Sequence, residues 1–90
     1  MSWDFELVAG PYTFTEGPAW NGKEVLFTDI PASKIMRYDP ANGESSEFRT
    51  HTNEANGLMF DKNGKLYACE GGRTFGDGNG GRRIVRYNSD

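Results

Sequence analysis

A chain of 90 residues has the size of one small domain, which excludes a multi-domain enzyme. Twelve glycines and four prolines interrupt the sequence too often for a helical bundle, and a single cysteine excludes an intrachain disulfide. The net charge of −3 argues against nucleic acid as a partner, because phosphate-binding proteins concentrate positive charge. Without an apolar run of membrane-spanning length or a secretory leader, we expect a cytoplasmic chain with no membrane partner.

The remaining pattern is that of short β-strands joined by turns. Asn21-Gly22 lies between two apolar runs and predicts a tight hairpin, because both central residues of a type I′ turn require positive φ. Asp61-Lys62-Asn63-Gly64 predicts a similar turn in the second half of the chain. In chain order, the predicted strands span residues 5–9, 18–20, 24–28, 34–38, 45–49, 57–60, 65–69 and 82–87.

The two halves of the chain repeat each other. A constant offset of 40 aligns the first two strands of each half and places Leu26 on Leu66. The third strands, Lys34 to Asp39 and Arg83 to Asn88, align at an offset of 49. Nine extra residues therefore precede the third strand of the second half, and the glycine-rich stretch at 71–81 supplies them.

A repeat of 40 to 50 residues with four antiparallel strands is typical of a β-propeller blade. We therefore predict an all-β fold, a partial β-propeller of about two four-stranded antiparallel blades. A closing strand at 5–9 precedes blade one at about 12–50 and blade two at about 51–90, which lacks its last strand. Because two blades cannot close a ring, we expect an incomplete propeller domain, that is, a fragment. A complete eight-stranded sandwich or barrel is the alternative.

Glu16 and Asn56 are the candidate binding residues. Each precedes the first strand of its repeat, where the inner strand of a blade opens onto the central channel. Carboxylate and amide oxygens are ligands that calcium prefers, and strand starts repeated around an axis can direct several of them to one point. The alternatives are a solvated turn residue for Glu16 and a turn amide that caps the strand entrance for Asn56.

Three other groups of chemical interest have structural interpretations. We interpret Asp29 as a hydrogen-bond acceptor in the turn before Pro31. The polar stretch at 49–54, which contains the sole histidine, His51, predicts a solvated connector between the blades. Cys69 lies in a strand with an alternating pattern, which favours a small buried hydrophobic side chain over a nucleophile.

Several motifs resemble the gluconolactonase and regucalcin (senescence marker protein) family. They are Thr15–Trp20, Leu26–Ile30 and Ile35–Pro40 in the first half, and Ala55–Leu58, Asp61–Leu66, Cys69-Glu70 and Arg83–Arg86 in the second. The resemblance covers nearly the whole chain and keeps the order of its motifs. It implies a six-bladed propeller that holds a divalent ion, usually Ca²⁺, in its central channel and opens lactone or related ester rings.

The resemblance also implies residue roles. The family's Glu-Gly-Pro-x-Trp motif supplies a metal ligand, which maps onto Glu16, while the other ligands come from later blades that have no counterpart in this sequence. Asn56 occupies the equivalent inner position of blade two and is a candidate to line the substrate cavity. We thus expect an N-terminal fragment of a calcium-dependent lactone hydrolase, inactive alone, with a small-molecule lactone as substrate. The alternative is a non-catalytic β-repeat module that self-associates through open strand edges or complements another propeller fragment.

Overall fold

The computed structural model describes residues 4–72 and 81–88, and within them seven strands form two antiparallel sheets. The first sheet has the order β1 (Thr15–Trp20), β2 (Val25–Asp29), β3 (Lys34–Asp39) and β4 (Glu44–Thr50). The second has the order β5 (Ala55–Phe60), β6 (Leu66–Glu70) and β7 (Arg83–Tyr87). No described residue is helical, so these ranges contain no helix able to cross a membrane. The predicted all-β fold is confirmed, and each sheet has the consecutive strand order of a propeller blade.

Short polar turns connect the strands at the predicted places. Asn21 Oδ1 accepts backbone hydrogen bonds from Lys23 and Glu24 at 2.9 and 2.7 Å. At the corresponding turn of the second sheet, Asp61 Oδ1 accepts a hydrogen bond from the backbone N–H of Lys65 at 3.0 Å. This hydrogen bond is the main cause of a lowered pKa for the Asp61 carboxyl group. Both hairpins therefore close through a side chain that satisfies the backbone of its own turn.

The strand register corrects the alignment of the two repeats by one residue. Trp20 pairs with Val25 in the first sheet and Phe60 pairs with Leu66 in the second, so Leu66 corresponds to Val25 and not to Leu26. The additional residue lies in the turn between β5 and β6. Because side chains alternate between faces along a strand, the constant offset of 40 was wrong for the second strand, and the two leucines lie on opposite faces of their sheets.

Those opposite faces meet in the core. Leu26 and Ile35 from the first sheet pack against Leu66 and Ala68 from the second, and all four are buried. Partly buried side chains extend this cluster: Phe48, Leu58, Phe60, Val85 and Tyr87. The sheets therefore stack as neighbouring blades, each covering one face of the other.

An aromatic and cationic stack closes the outer side of this core. The guanidinium carbon of Arg49 lies 5.5 Å from the ring centroid of Phe48 and 4.4 Å from that of Tyr87 in the other sheet. Burial raises the pKa of the Tyr87 hydroxyl. The contact between Arg49 and Tyr87 joins β4 to β7.

The segment before β1 does not have the predicted conformation, because residues 5–9 form no strand in the structure. Phe5 and Leu7 are 89 % and 85 % exposed. The strand partner expected for a closing strand belongs to a blade at the other end of a complete propeller, so that role stays a prediction. Most of the glycine-rich stretch predicted as an insertion, residues 73–80, lies outside the described residues.

The prediction that Cys69 is buried was wrong, since its side chain is exposed. Its neighbours Ala68 and Glu70 face the first sheet and are buried, so the alternation of β6 directs Cys69 to the opposite, uncovered face. The sequence correctly indicated alternation but did not indicate which of the two faces a neighbouring sheet covers.

Candidate functional site

Both candidate residues lie in β-bulges at the start of the inner strands. The register shifts between Glu16 and Ala19 in β1 and between Ala55 and Leu58 in β5. A bulge places two residues opposite one and redirects the side chains next to it. Glu16 is the last paired residue before the first shift, and Asn56, 40 residues later, directly follows the last paired residue before the second; both are exposed.

Gly17 allows the two inner strands to approach closely. Its φ is +56°, and an added Cβ atom would lie 2.0 Å from the backbone carbonyl oxygen of Asn56. No side chain fits in that space, so a glycine is required here for both its conformation and the close contact. The glycine of the Glu-Gly-Pro run thus brings the start of β1 next to the start of β5.

Thr28 joins the same two strand starts through its hydroxyl group. Its Oγ1 atom lies 3.1 Å from the carbonyl oxygen of Glu16 and 3.1 Å from that of Asn56, and it donates a hydrogen bond shared between them. Thr28 is fully buried. The backbones of the two candidate residues are therefore held in place by one glycine and one buried hydroxyl group.

The Glu16 carboxylate is oriented by its own bulge. The backbone N–H of Gly17 donates to Glu16 Oε1 at 3.1 Å, which leaves the other oxygen open to solvent. Within the described residues, no three Asp, Glu, His or Cys side chains lie close enough to hold a metal ion. One carboxylate and one neighbouring amide match the kind of ligand that Ca²⁺ takes but not the roughly six to eight oxygens that it requires.

Asp29 fastens the segment that enters the first sheet. Its Oδ2 and Oδ1 atoms accept hydrogen bonds from the backbone N–H groups of Thr13 at 3.2 Å and Phe14 at 3.1 Å. Asp29 is buried, and both of its oxygens are engaged in this contact. It is an acceptor, as its position before Pro31 indicated, but its partners belong to the entry segment and not to the turn.

Glu70 plays the corresponding part in the second sheet. Its Oε1 atom accepts hydrogen bonds from Asn53 Nδ2 at 2.8 Å and from Arg83 Nε at 2.7 Å. The Asn53 amide also donates to the carbonyl oxygen of Gly81 at 2.7 Å. Like Asp29, Glu70 ends the second strand of its blade and ties down the entry segment, so both carboxylates have structural roles.

The connector between the sheets is not the solvated link that the sequence predicted. Thr52, Asn53 and Glu54 are all buried, although His51 is exposed. The backbone N–H groups of Thr52 and Glu54 donate to the carbonyl oxygen of Ser33 at 3.1 Å and to its hydroxyl oxygen at 3.0 Å. These residues were missed because a polar run usually lies in solvent, whereas here contacts distant in sequence, to Ser33 and Glu70, satisfy polar groups of this run.

The same connector has unusual backbone conformations. His51, Asn53 and Glu54 have φ values of +53° to +55°, and Ser33 beside them has +52°. Left-handed conformations at non-glycine residues cost on the order of 1 kcal/mol each and persist where surrounding contacts enforce them. Here the buried hydrogen bonds to Ser33 and Glu70 provide that enforcement.

An apolar cleft of about 890 Å³ lies over the face of the first sheet that points away from the second sheet. Val25, Phe27 and Tyr38 line it from the sheet, and residues 7–13 line it from the segment before β1. The ring of Tyr12 packs edge-on against Phe27 at 5.2 Å between centroids. Glu16, at the start of β1, also lines the cleft, so the candidate ligand lies at one end of this cleft.

Comparisons with known proteins agree with this geometry. Residues 14–87 match the sequence model of the SMP-30/gluconolactonase/LRE-like region. A gluconolactonase of Xanthomonas campestris, described as important in glucose secondary metabolic pathways, matches with a TM-score of 0.76 and 24 % identity over 91 % of this chain and 25 % of its own. A second X-ray structure, provisionally called a gluconolactonase, matches with a TM-score of 0.73 and 26 % identity over 91 % of this chain and 26 % of its own. The chain thus spans about a quarter of the length of these two proteins.

Proposed function

Because this chain belongs to the SMP-30/gluconolactonase/LRE-like family, we propose that it supplies the first two blades of a metal-dependent lactone hydrolase. The observation that carries the proposal is the position of Glu16, an exposed carboxylate held by a bulge beside the equivalent residue of the second blade, Asn56. The described activity of the Xanthomonas campestris relative supports a small-molecule lactone as the substrate class. The whole activity requires parts of a propeller that lie outside this chain.

In this proposal, Glu16 is a ligand and not a proton carrier. Glu16 would help to hold a divalent cation, Ca²⁺, whose charge would polarise a lactone carbonyl and stabilise the developing oxyanion. Glu16 offsets part of that charge, and the backbone N–H of Gly17 holds one of its carboxylate oxygens at 3.1 Å. Asn56 lines the substrate cavity, where its amide can both donate to and accept from the hydroxyl groups of a sugar lactone.

The oxygen donors that this chain presents suit a hard cation, but they are too few to hold one. We therefore propose that the 90-residue chain alone neither binds calcium tightly nor hydrolyses lactone. Isothermal titration of calcium chloride into a dilute, monomeric sample should give no micromolar binding, and a pH-stat assay with a sugar lactone should give the uncatalysed rate. Micromolar affinity or turnover above that rate would contradict this part of the proposal.

The role of Glu16 is tested best in a complete propeller. Residues 14–87 can replace the matching quarter of the Xanthomonas campestris gluconolactonase. In that chimera, Glu16→Gln keeps the size of the side chain but removes its charge, so calcium affinity should fall by a factor on the order of 100, and turnover with it. Glu44→Gln, on the exposed outer strand, is the matched control and should change neither. Unchanged calcium affinity in the Glu16→Gln chimera would remove Glu16 from the site.

A further inference from the structure

Within residues 4–72 and 81–88, each sheet covers one face of its neighbour and has no sheet against its other face. We call β1–β4 blade one and β5–β7 blade two. Directly opposed residues of antiparallel strands share a face, so the registers define the members of each open face. The open face of blade one contains Val25, Phe27, Met36 and Tyr38. The open face of blade two contains Tyr67, Cys69, Ile84 and Arg86.

The buried interface inside the chain is built from the same two kinds of face. By register, the open face of blade two corresponds to the buried face of blade one, which contains Leu26, Thr28, Ile35 and Arg37. The open face of blade one corresponds to the buried face of blade two, which contains Leu66, Ala68, Val85 and Tyr87. A pair of faces that packs within the chain therefore recurs, unpaired, on the outside of its two blades.

Exposure shows the contrast between equivalent positions. Ile35 is 0 % exposed in the interface, whereas its counterpart Ile84 is 72 % exposed on blade two. The arginine on this open face does not prevent docking. Its counterpart Arg37 lines a cleft shared with Phe60 of the other sheet, and its guanidinium carbon lies 5.8 Å from the ring centroid of Phe48 in its own sheet.

The free edge of β7 and residues 5–9 also complement each other. Within the described residues, β7 pairs only with β6, while the third strand of blade one also pairs with a fourth. An unpaired edge can accept another strand. Residues 5–9, predicted to be a strand, alternate apolar side chains at Phe5 and Leu7, and Leu7 lines the cleft over the open face of blade one.

We propose that this chain, where no further blades of a propeller cover its two open faces, associates head to tail with further copies of itself. The open face of blade two in one copy packs on the open face of blade one in the next, and its β7 edge pairs with residues 5–9 of that next copy. This contact repeats the one that already joins the two blades within a chain. Because the two surfaces differ, the contact is heterologous and continues until a ring closes. Six blades, the number that the family resemblance implies, close with three copies.

The association is measured by analytical ultracentrifugation of the 90-residue chain between about 1 and 200 µM. The mass should rise from 10.0 kDa toward about 30 kDa, that of three copies. Ile84→Asp and Val25→Asp each place a carboxylate on one open face and should weaken association at least about tenfold, leaving monomers. Lys62→Asn, an exposed turn substitution with the same change in charge, is the control and should associate like the wild type.

Mixing the two variants identifies the geometry. The Ile84→Asp chain keeps the open face of blade one and the Val25→Asp chain keeps that of blade two, so an equimolar mixture should form a dimer of about 20 kDa. A mixture that stays monomeric, or either variant forming dimers alone, overturns head-to-tail docking, as does a wild-type mass of 10.0 kDa at every concentration. Tyr38→Glu replaces Val25→Asp if the latter loses the wild-type circular dichroism spectrum.

The strand pairing has its own test. Leu7→Pro removes a backbone N–H at a position 85 % exposed in the single chain, so the circular dichroism spectrum should not change. Association should weaken about tenfold, because residues 5–9 can no longer complete the ladder along β7. Association equal to that of the wild type would overturn this part of the contact.

Discussion

Replacing Gly17 by alanine tests whether the two inner strands approach as closely as the structure has them. The added Cβ would lie 2.0 Å from the carbonyl oxygen of Asn56, so the start of β5 must move by about 1 Å to reach the closest separation that real Cβ atoms tolerate. That movement also breaks the hydrogen bond from Thr28 to Asn56. Gly17→Ala therefore disturbs the contact on which the placement of the candidate site depends.

The size of the effect follows from three contributions. Alanine in the left-handed region costs about 1 to 2 kcal/mol, and the lost hydrogen bond costs about 1 kcal/mol. Displacing packed backbone costs about 1 kcal/mol or more in addition. We expect a total loss of at least about 3 kcal/mol, a large part of the roughly 5 to 13 kcal/mol expected for a domain of 90 residues.

Gly43→Ala is the matched control, because Gly43 has a φ of +74° but no atom within 4 Å of an added Cβ. It should cost only the conformational term, about 1 to 2 kcal/mol. Urea unfolding followed by circular dichroism measures both free energies, with unchanged slopes indicating unchanged native and denatured states. Equal losses in the two variants would refute the close contact between β1 and β5.

Three further predictions concern the groups that hold this region together. Thr28→Val keeps the shape of the side chain but removes the buried donor shared by the carbonyl oxygens of Glu16 and Asn56, so it should destabilise by about 1 to 3 kcal/mol, whereas Thr28→Ser should cost less. Equal urea midpoints for wild type and Thr28→Val would contradict this. Asp29→Ala removes two charge-assisted hydrogen bonds to the entry segment and should speed hydrogen exchange at the amide of Thr13 at least about tenfold, which unchanged exchange would disprove. The pKa of Asp61 is lowered from its ordinary 3.8, so its contribution to stability is complete above pH 3.8 and is lost as the pH falls through the folded-state pKa. Acid unfolding of Asp61→Asn should lack this component, and identical pH profiles would contradict the assignment.

The candidate site was only partly predictable from the sequence. Glu16 and Asn56 were correctly identified as equivalent positions, because a repeated motif at a constant offset indicates a repeated place in the fold. The sequence did not indicate that Gly17 and Thr28 join them. Both contacts cross from one sheet to the other, and a local pattern contains no information on which backbone atoms of a distant strand will lie nearby.

The errors have a similar origin. Cys69 was expected to be buried and the connector around Asn53 was expected to be solvated, yet the structure has the reverse. Strand alternation limits Cys69 to one of two faces but does not show which face is covered. Polar residues such as Asn53 are buried when other buried groups satisfy them, here the Glu70 carboxylate and the Gly81 carbonyl, both distant in sequence.

The sequence by itself determined the seven strands of the two sheets, their turns and their order, because alternation, Asn-Gly pairs and Asx-type turns act within a few residues; the eighth predicted strand, at 5–9, did not form. It also determined that the two halves are equivalent and, through its motifs, which family they resemble. Only the tertiary structure decided the bulges, the one-residue correction between the repeats, and the face of each blade that is covered. These features depend on one sheet packing against the other, and the free energy of that packing comes from residues that are far apart in the chain.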